Sequence, residues 1–334
     1  MKESLAIIGT GIAGMACAHM LQHKYDLTIY EKNHYVGGHT NTVTVNEDGK
    51  DVFIDTGFMV FNQVTYPLLT KLFADLNVPV KKTDMSFSVQ HVPGGLEYSG
   101  SGLNGLFAQR KNILNAAHIK MLIQIGRFNQ DSIEILDDPS FDDYTLKRYM
   151  DEKGYGSDIM WKYLIPMSSA VWSTPMDQML GFPAKTLVRF FYNHGFLGLN
   201  TQHQWYTVVN GSKTYRDIII RPFKEKIEIN NPVVQVIRKD GKVSIQTKHN
   251  GAKIVDRVIV ACHGDEALGL IDDPTPGEAN LLSTFKYQKN LAALHTDDSV
   301  MPKLKRAWSS WTMSWVSSTE SVVWVRKPNG PGGG

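Results

Sequence analysis

The residues best suited to chemistry are glycines. Gly9-Thr10-Gly11-Ile12-Ala13-Gly14 has the G-x-G-x-x-G spacing, placed between the apolar run Leu5-Ala6-Ile7-Ile8 and a helix-patterned segment. Gly9 permits a tight turn. Gly11, with no Cβ, lets phosphate oxygens approach the backbone, and Gly14 lets a helix pack closely on the preceding strand. The N-terminus of that helix offers unpaired N–H groups and the positive end of its dipole. Glu31 follows at the end of the next strand, where a carboxylate can accept hydrogen bonds from the hydroxyls of an adenosine ribose. The chemistry read from this set is the holding of a dinucleotide.

A second set separates the dinucleotides. Gly37-Gly38-His39-Thr40 and Ile54-Asp55-Thr56-Gly57 come soon after Glu31. The glycine pair lets backbone approach a ligand again. NAD has no standing need for this, whereas the longer FAD runs along the domain past its pyrophosphate. An NAD-dependent dehydrogenase is the weaker alternative, because it leaves both segments unexplained.

Groups for bond-making are sparse. His194, in Asn193-His194-Gly195, is the one weak catalytic candidate, since the glycine marks a turn. A satisfied structural histidine is the plainer reading. His263 is expected to cap a helix over 263–271, and Cys262 to pack rather than react. Scattered histidines and two distant cysteines give no metal set.

The elements that must position these residues follow from periodicity. Residues 4–8, 26–30, 227–229, 233–238, 243–247 and 254–261 read as strands, with a hairpin over 40–46 and 51–55. Residues 12–23 and 65–77 read as helices, and 112–136 and 144–193 as rich in helix. The resulting fold class is α/β. A Rossmann-like domain in two pieces, residues 1–60 and 207–272, carries an inserted, mainly helical substrate domain of residues 61–206 and 273–326. Residues 327–334, rich in glycine and proline, are expected to be a disordered tail. The Met-, Trp- and Phe-rich stretch 144–206 reads first as core and second as the wall of an apolar pocket.

Composition bounds the partners. The chain has 334 residues, 42% hydrophobic and 20% charged, with a net charge of +2. This is globular composition, without the basic surplus of a nucleic-acid binder. Two cysteines exclude a disulfide scaffold and suit a reducing compartment. No apolar run is long enough to span a bilayer, so a cytoplasmic protein is expected, with peripheral membrane contact left open.

The blocks Gly9–Gly14, Glu31-Lys32, Gly37–Thr40 and Asp55-Thr56-Gly57-Phe58 together resemble the flavin amine oxidoreductases, the superfamily of monoamine oxidases, protoporphyrinogen oxidases and phytoene desaturases. The run Asp55–Asn62, Thr65-Tyr66-Pro67, Ala170–Pro175, Asn193–Gly195, Val209–Ser212, Val260–His263 and Ala307–Trp311 is similar to amine-oxidase-like flavoproteins found beside, or fused to, cyclopropane fatty acid synthases. The resemblance covers about residues 4–315. It implies FAD as cofactor, in a glutathione-reductase-type domain. Gly9, Gly11, Ile12, Ala13 and Gly14 would hold the pyrophosphate and Glu31 the ribose. Gly38, His39 and Thr40 would approach the phosphate and ribityl region, with His39 standing where many relatives carry Arg. Gly57, Phe58 and Met59 would line the flavin, and Val233 would hold adenine through its backbone. It further implies hydride transfer from an apolar or lipid-like small molecule to flavin N5, and a functional link to fatty-acid cyclopropanation. Members of the family carry a further C-terminal segment. The chain leaves the pattern near Trp315, which leads to the expectation of a truncated product. The rival expectation is a flavin- or nucleotide-binding module without turnover, serving a lipid-modifying partner.

Overall fold

Four parallel strands make the sheet that carries the glycine loop. Their order is Ile227–Glu228, Asp26–Tyr30, Ser4–Ile8, Arg257–Val260. The structure is a computed structural model that describes residues 2–198, 201–287 and 289–315, together with the backbone of the strand Ser321–Val325. Leu5, Ala6 and Ile7 are buried, and the strand is apolar from Leu5 to Ile8 because both of its faces are covered there. Ala6 and Ile8 meet Val236, Val243, Ile245 and Val255 of an antiparallel meander, Val233–Lys239, Lys242–Thr247 and Gly251–Val255. The helix Ile12–Leu21 contacts the same strand and buries Gly14, Met15 and Ala18.

The expected strand over 254–261 is two strands with Asp256 between them. Asp256 breaks the run because its Oδ2 accepts from both the backbone N and the hydroxyl of Ser4, at 2.7 Å each. One strand therefore closes the meander and the next joins the parallel sheet.

The chain divides into two units, Met1–Val60 with Leu68–Lys81 and Thr207–Lys289, and Phe61–Pro67 with Lys82–Tyr206 and Asn290–Gly334. The sequence placed 68–81 and 273–289 in the second. The helix Pro67–Asp75 joins the first through Phe73, whose ring lies 4.9 Å from that of Tyr215. The helix Pro276–Leu282 joins it through Glu278, bound by Arg238 of the meander at 2.8 Å.

The second unit is built on a sheet ordered Ser321–Val325, Trp311–Trp315, Phe87–His91, Leu96–Ser99. The strands at 87, 96 and 311 are unanticipated: they are short and mix polar with apolar residues. The helices Gly102–Leu106 and Ala116–Asp131 pack on Val89 and Tyr98 through Leu106, Met121, Leu122 and Ile125. A π-turn at Met160–Leu164 precedes Pro166, and this wider turn absorbs the proline's missing N–H within a continuous helical run. The Met and aromatic residues of 144–206 are mostly core: Tyr149, Met150, Met179 and Phe191 are fully buried. The expected tail at 327–334 lies outside the described residues.

Candidate cofactor-binding site

The glycine loop connects the first strand to the helix Ile12–Leu21, and its glycines are required for different reasons. Gly9 has φ +100°, and a Cβ there would come within 2.7 Å of the Ala261 carbonyl oxygen. A Cβ on Gly14 would lie 2.0 Å from the carbonyl oxygen of Gly9. Both positions are fixed by the protein's own backbone. Gly11 is different: nothing lies within 4 Å of where its Cβ would be, and its φ of −61° suits any residue. Open space at a glycine that its own fold does not demand is what backbone approach by a ligand needs. Gly11 is the N-cap of the helix, so the amides of Ile12 and Ala13 open into the same end.

Gly37 and Gly38 turn back over this loop. A Cβ on Gly38 would sit 3.3 Å from Gly11 Cα. Gly37 N donates to Thr10 Oγ1 at 3.2 Å, which ties the two glycine segments together. Thr40 is buried and shares a hydrogen bond with the Tyr215 hydroxyl at 2.5 Å.

Glu31 is buried beneath the loop. Its Oε2 accepts from Thr10 N at 3.1 Å and from the Thr10 hydroxyl, and its Oε1 accepts from Asn33 N at 2.8 Å. A carboxylate has about four acceptor positions, so room remains for about one further donor. Glu31 therefore braces the loop.

Gly57 is explained by packing. Its Cβ would fall 2.2 Å from the His39 carbonyl oxygen, which accepts from Phe58 N at 2.9 Å. Phe58 meets Tyr215 edge-on, and Met59 presents its carbonyl to the Thr207 hydroxyl. His39 stacks at 6.0 Å on His263, which lies flat on Tyr287 at 4.1 Å. His263 does occupy the N-cap of the helix Gly264–Leu270, but its side chain makes no capping hydrogen bond. Val233 pairs with Thr247, and the register shifts between Val233 and Gln235, leaving Val234 outside the ladder. Burial and nearby Glu266 push the Cys262 thiol up to about 11. Among the described residues no cluster of three His, Cys, Asp or Glu side chains is placed to hold a metal.

A further set had no assigned role in the sequence. Asp55 Oδ1 accepts from Thr42 Oγ1 at 2.6 Å, Ser212 N at 2.8 Å and Ser212 Oγ at 2.7 Å. This clamp locks the base of the hairpin Thr42–Glu47/Lys50–Asp55 to the start of the helix Lys213–Ile220. Its sequence signals were the Asp55-Thr56-Gly57 and Val209–Ser212 blocks, neither of which pointed to the pairing.

His194 belongs to the second unit and is a packed residue. Its Nδ1 donates to the Phe190 carbonyl at 2.9 Å, and its ring stacks at 4.0 Å on Phe190 and 5.9 Å on Trp205. Burial lowers its pKa. The glycine after it ends the helix Ala184–Asn193: Phe196 N bonds Phe191 O, and Gly195 N bonds Tyr192 O, the paired pattern of a left-handed stop. Asn193-His194-Gly195 is thus a helix terminus. Ala170–Pro175 is another, with Ser173 left-handed at φ 48° and Pro175 beyond it.

A parallel sheet with a glycine loop at a helix N-terminus, and space in front of Gly11, defines a dinucleotide-binding protein of Rossmann type. Residues 12–303 match the flavin-containing amine oxidoreductases, and the chain belongs to that family. None of the curated proteins matches it. Solved structures share its fold. Putrescine oxidase bound to putrescine is 16% identical with a TM-score of 0.62, over 85% of this chain and 63% of that one. Cyclohexylamine oxidase from Brevibacterium oxydans is 16% identical, with a TM-score of 0.60 and the same coverage. A CLA-producing fatty acid isomerase from P. acnes is 16% identical, with a TM-score of 0.59 over 84% and 63%. The chain thus spans 63% of the length of these structures. FAD is the family's cofactor, and the nicotinamide alternative falls away. The residues fit it: the Gly11 cradle is open where a pyrophosphate needs it, and closed by backbone at Gly9 and Gly14.

Proposed function

We propose that this chain binds FAD at the Gly9–Gly14 loop and serves an oxidoreductase that takes a hydride from an apolar, lipid-like substrate. The observation that carries the reading is the open space at Gly11 beneath Gly38. Gly11, Ile12 and Ala13 would hold the pyrophosphate through backbone N–H groups, with Gly14 setting the helix close to its strand. Glu31 holds the loop in shape and would accept from one ribose hydroxyl. Gly38, His39 and Thr40 would follow the ligand onward, with Gly57, Phe58 and Met59 on the flavin side and Val233 near adenine. FAD supplies the two-electron acceptor, at N5. The apolar substrate class is supported by the fold's likeness to an enzyme named for fatty acid isomerisation. A link to fatty-acid cyclopropanation belongs to the same reading.

The test is a titration of the purified chain with FAD and, separately, NAD, followed by flavin fluorescence and ultrafiltration. FAD retention that is lost in Gly11→Val, with an unchanged circular-dichroism melt of the apoprotein, supports the assignment. Retention unaffected by Gly11→Val, or preference for NAD, overturns it. Anaerobic loss of the flavin's visible absorbance on adding a fatty acid or an amine then separates the substrate classes.

A further inference from the structure

The second unit carries an unpaired surface unrelated to the glycine loop. From Tyr98 to Gln130 the sequence contains no Asp or Glu, yet it holds four basic residues. Within it lie Gly102–Leu106, a 3-10 turn Arg110–Leu114 and all of the helix Ala116–Asp131 but its last residue, Asp131. The Arg110 guanidinium bonds Asn104 Oδ1 at 2.5 Å, and His118 Nε2 meets the Leu106 carbonyl at 3.0 Å, so the three elements stand side by side.

Their exposed residues include four large aliphatic side chains. Leu103 is 75% exposed, Ile113 53%, Leu114 93% and Ile123 66%. Residues three apart in a 3-10 turn eclipse each other, which aligns Lys111 with Leu114. On the helix, Lys120 and Ile123 lie on one stripe, opposite the buried Met121 and Phe128. Each exposed lysine thus stands beside an exposed aliphatic side chain. Among the described residues neither Lys111 nor Lys120 has an ion-pair partner. Nearby carboxylates are engaged: Asp131 with Arg127 at 3.0 Å, Asp158 with Lys162 at 2.6 Å, and Glu97 with the amides of Lys303 and Leu304.

We propose that this surface docks on an anionic lipid bilayer. Four large aliphatic side chains would enter the boundary of the acyl layer, while Lys111 and Lys120 lie at the headgroup level, the arrangement of interfacial helices. The absence of acidic residues across the segment removes the repulsion that an anionic surface would impose. No helix among the described residues is long and apolar enough to cross a membrane, and the contact proposed is a peripheral one. The inference stands apart from flavin binding, because none of its residues belongs to the glycine loop.

The test is flotation of the full chain with vesicles of phosphatidylcholine alone and with added phosphatidylglycerol. The chain floats with the anionic vesicles, less so as salt rises, and not with the neutral ones. The double variant Lys111→Glu/Lys120→Glu weakens partitioning by about tenfold or more, and Leu114→Asp by about tenfold. These sites are exposed, so thermal melts match wild type; if Leu114→Asp melts early, Leu103→Ser/Ile123→Ser replaces it. No flotation with anionic vesicles, or flotation indifferent to these variants, overturns the proposal. So does a solution dimer that Leu114→Asp dissociates in a protein that never floats, which would make the face a contact between copies.

Discussion

Gly38 lies directly over Gly11: a Cβ on the first would stand 3.3 Å from the Cα of the second. Two glycines from different turns thus meet at the entrance to one helix, the first at φ +57° and the second in ordinary extended backbone. This separates glycines needed by the fold from the one that the fold leaves free.

Gly11→Ala and Gly14→Ala should therefore part company. Alanine at 11 enters open space at an allowed φ, and its unfolded-state gain of about 0.4–1 kcal/mol is offset by alanine's poorer fit to an N-cap, so the apoprotein melts close to the wild-type temperature. FAD affinity falls. Alanine at 14 collides with Gly9 O and costs more than about 1–3 kcal/mol. Differential scanning calorimetry of the two apoproteins checks the contrast.

Asp55→Ala should destabilise the first unit by about 1–3 kcal/mol per donor left unpaired, because Ser212 is buried and loses acceptors for both its N–H and its hydroxyl. Asp55→Asn, which keeps a carbonyl oxygen in place, recovers part of this. Urea unfolding of the three proteins measures the order.

His194→Ala should cost about 2–4 kcal/mol, chiefly through a cavity among Phe190, Phe196 and Trp205, since the Phe190 carbonyl keeps its bond from the backbone N of residue 194. Burial holds the folded pKa below its ordinary value. The unfolded state therefore binds more protons at mildly acid pH, and this histidine reduces stability as pH falls through about 6.5. In His194→Phe that part of the pH dependence disappears, which melting curves between neutral and mildly acid pH show directly.

Arg238, with the Thr275 amide and hydroxyl, holds Glu278 down to about 2. A depressed carboxylate contributes above its unfolded value and loses that contribution as pH falls through the folded one. The melting temperature of Glu278→Gln should sit slightly below wild type at neutral pH. The gap should close between about pH 4.5 and 2, and a constant gap would contradict the pairing.

Cys262 should resist alkylation. With its thiol pushed up to about 11, chiefly by burial, little thiolate exists near neutrality. In a Cys17→Ser background, iodoacetamide should modify it more slowly than a free thiol of ordinary pKa, and the rate should climb steadily toward pH 11. Mass spectrometry of timed samples follows this.

The first strand, glycine loop and helix were legible because each leaves a local mark: a doubly buried apolar run, three spaced glycines and a helical period. The strands Phe87–His91 and Leu96–Ser99 were not. Their residues Ser88, Gln90 and Glu97 interrupt the apolar pattern, and Ser88 is paid for only by Thr312, far along the chain. In the candidate site, spacing could nominate Gly11 and Gly57 alike. Only the position of the His39 carbonyl shows that Gly57 is demanded by packing. The Asp55–Ser212 clamp joins residues 157 positions apart and has no local signature. Asn193-His194-Gly195 misled in the opposite sense, since a helix stop and a reactive turn both favour glycine.

The parallel sheet has a consequence for synthesis. Its inner strand, Ser4–Ile8, takes one neighbour from the adjoining residues and the other from Arg257–Val260, with Ser4 bonded to Asp256, 252 positions away. At ribosomal rates those partners emerge on the order of ten to fifty seconds apart. Throughout that interval one apolar edge of the nascent βαβ unit stays open, which makes the N-terminal segment a client for chaperones and makes late closure of the sheet a slow step of high contact order.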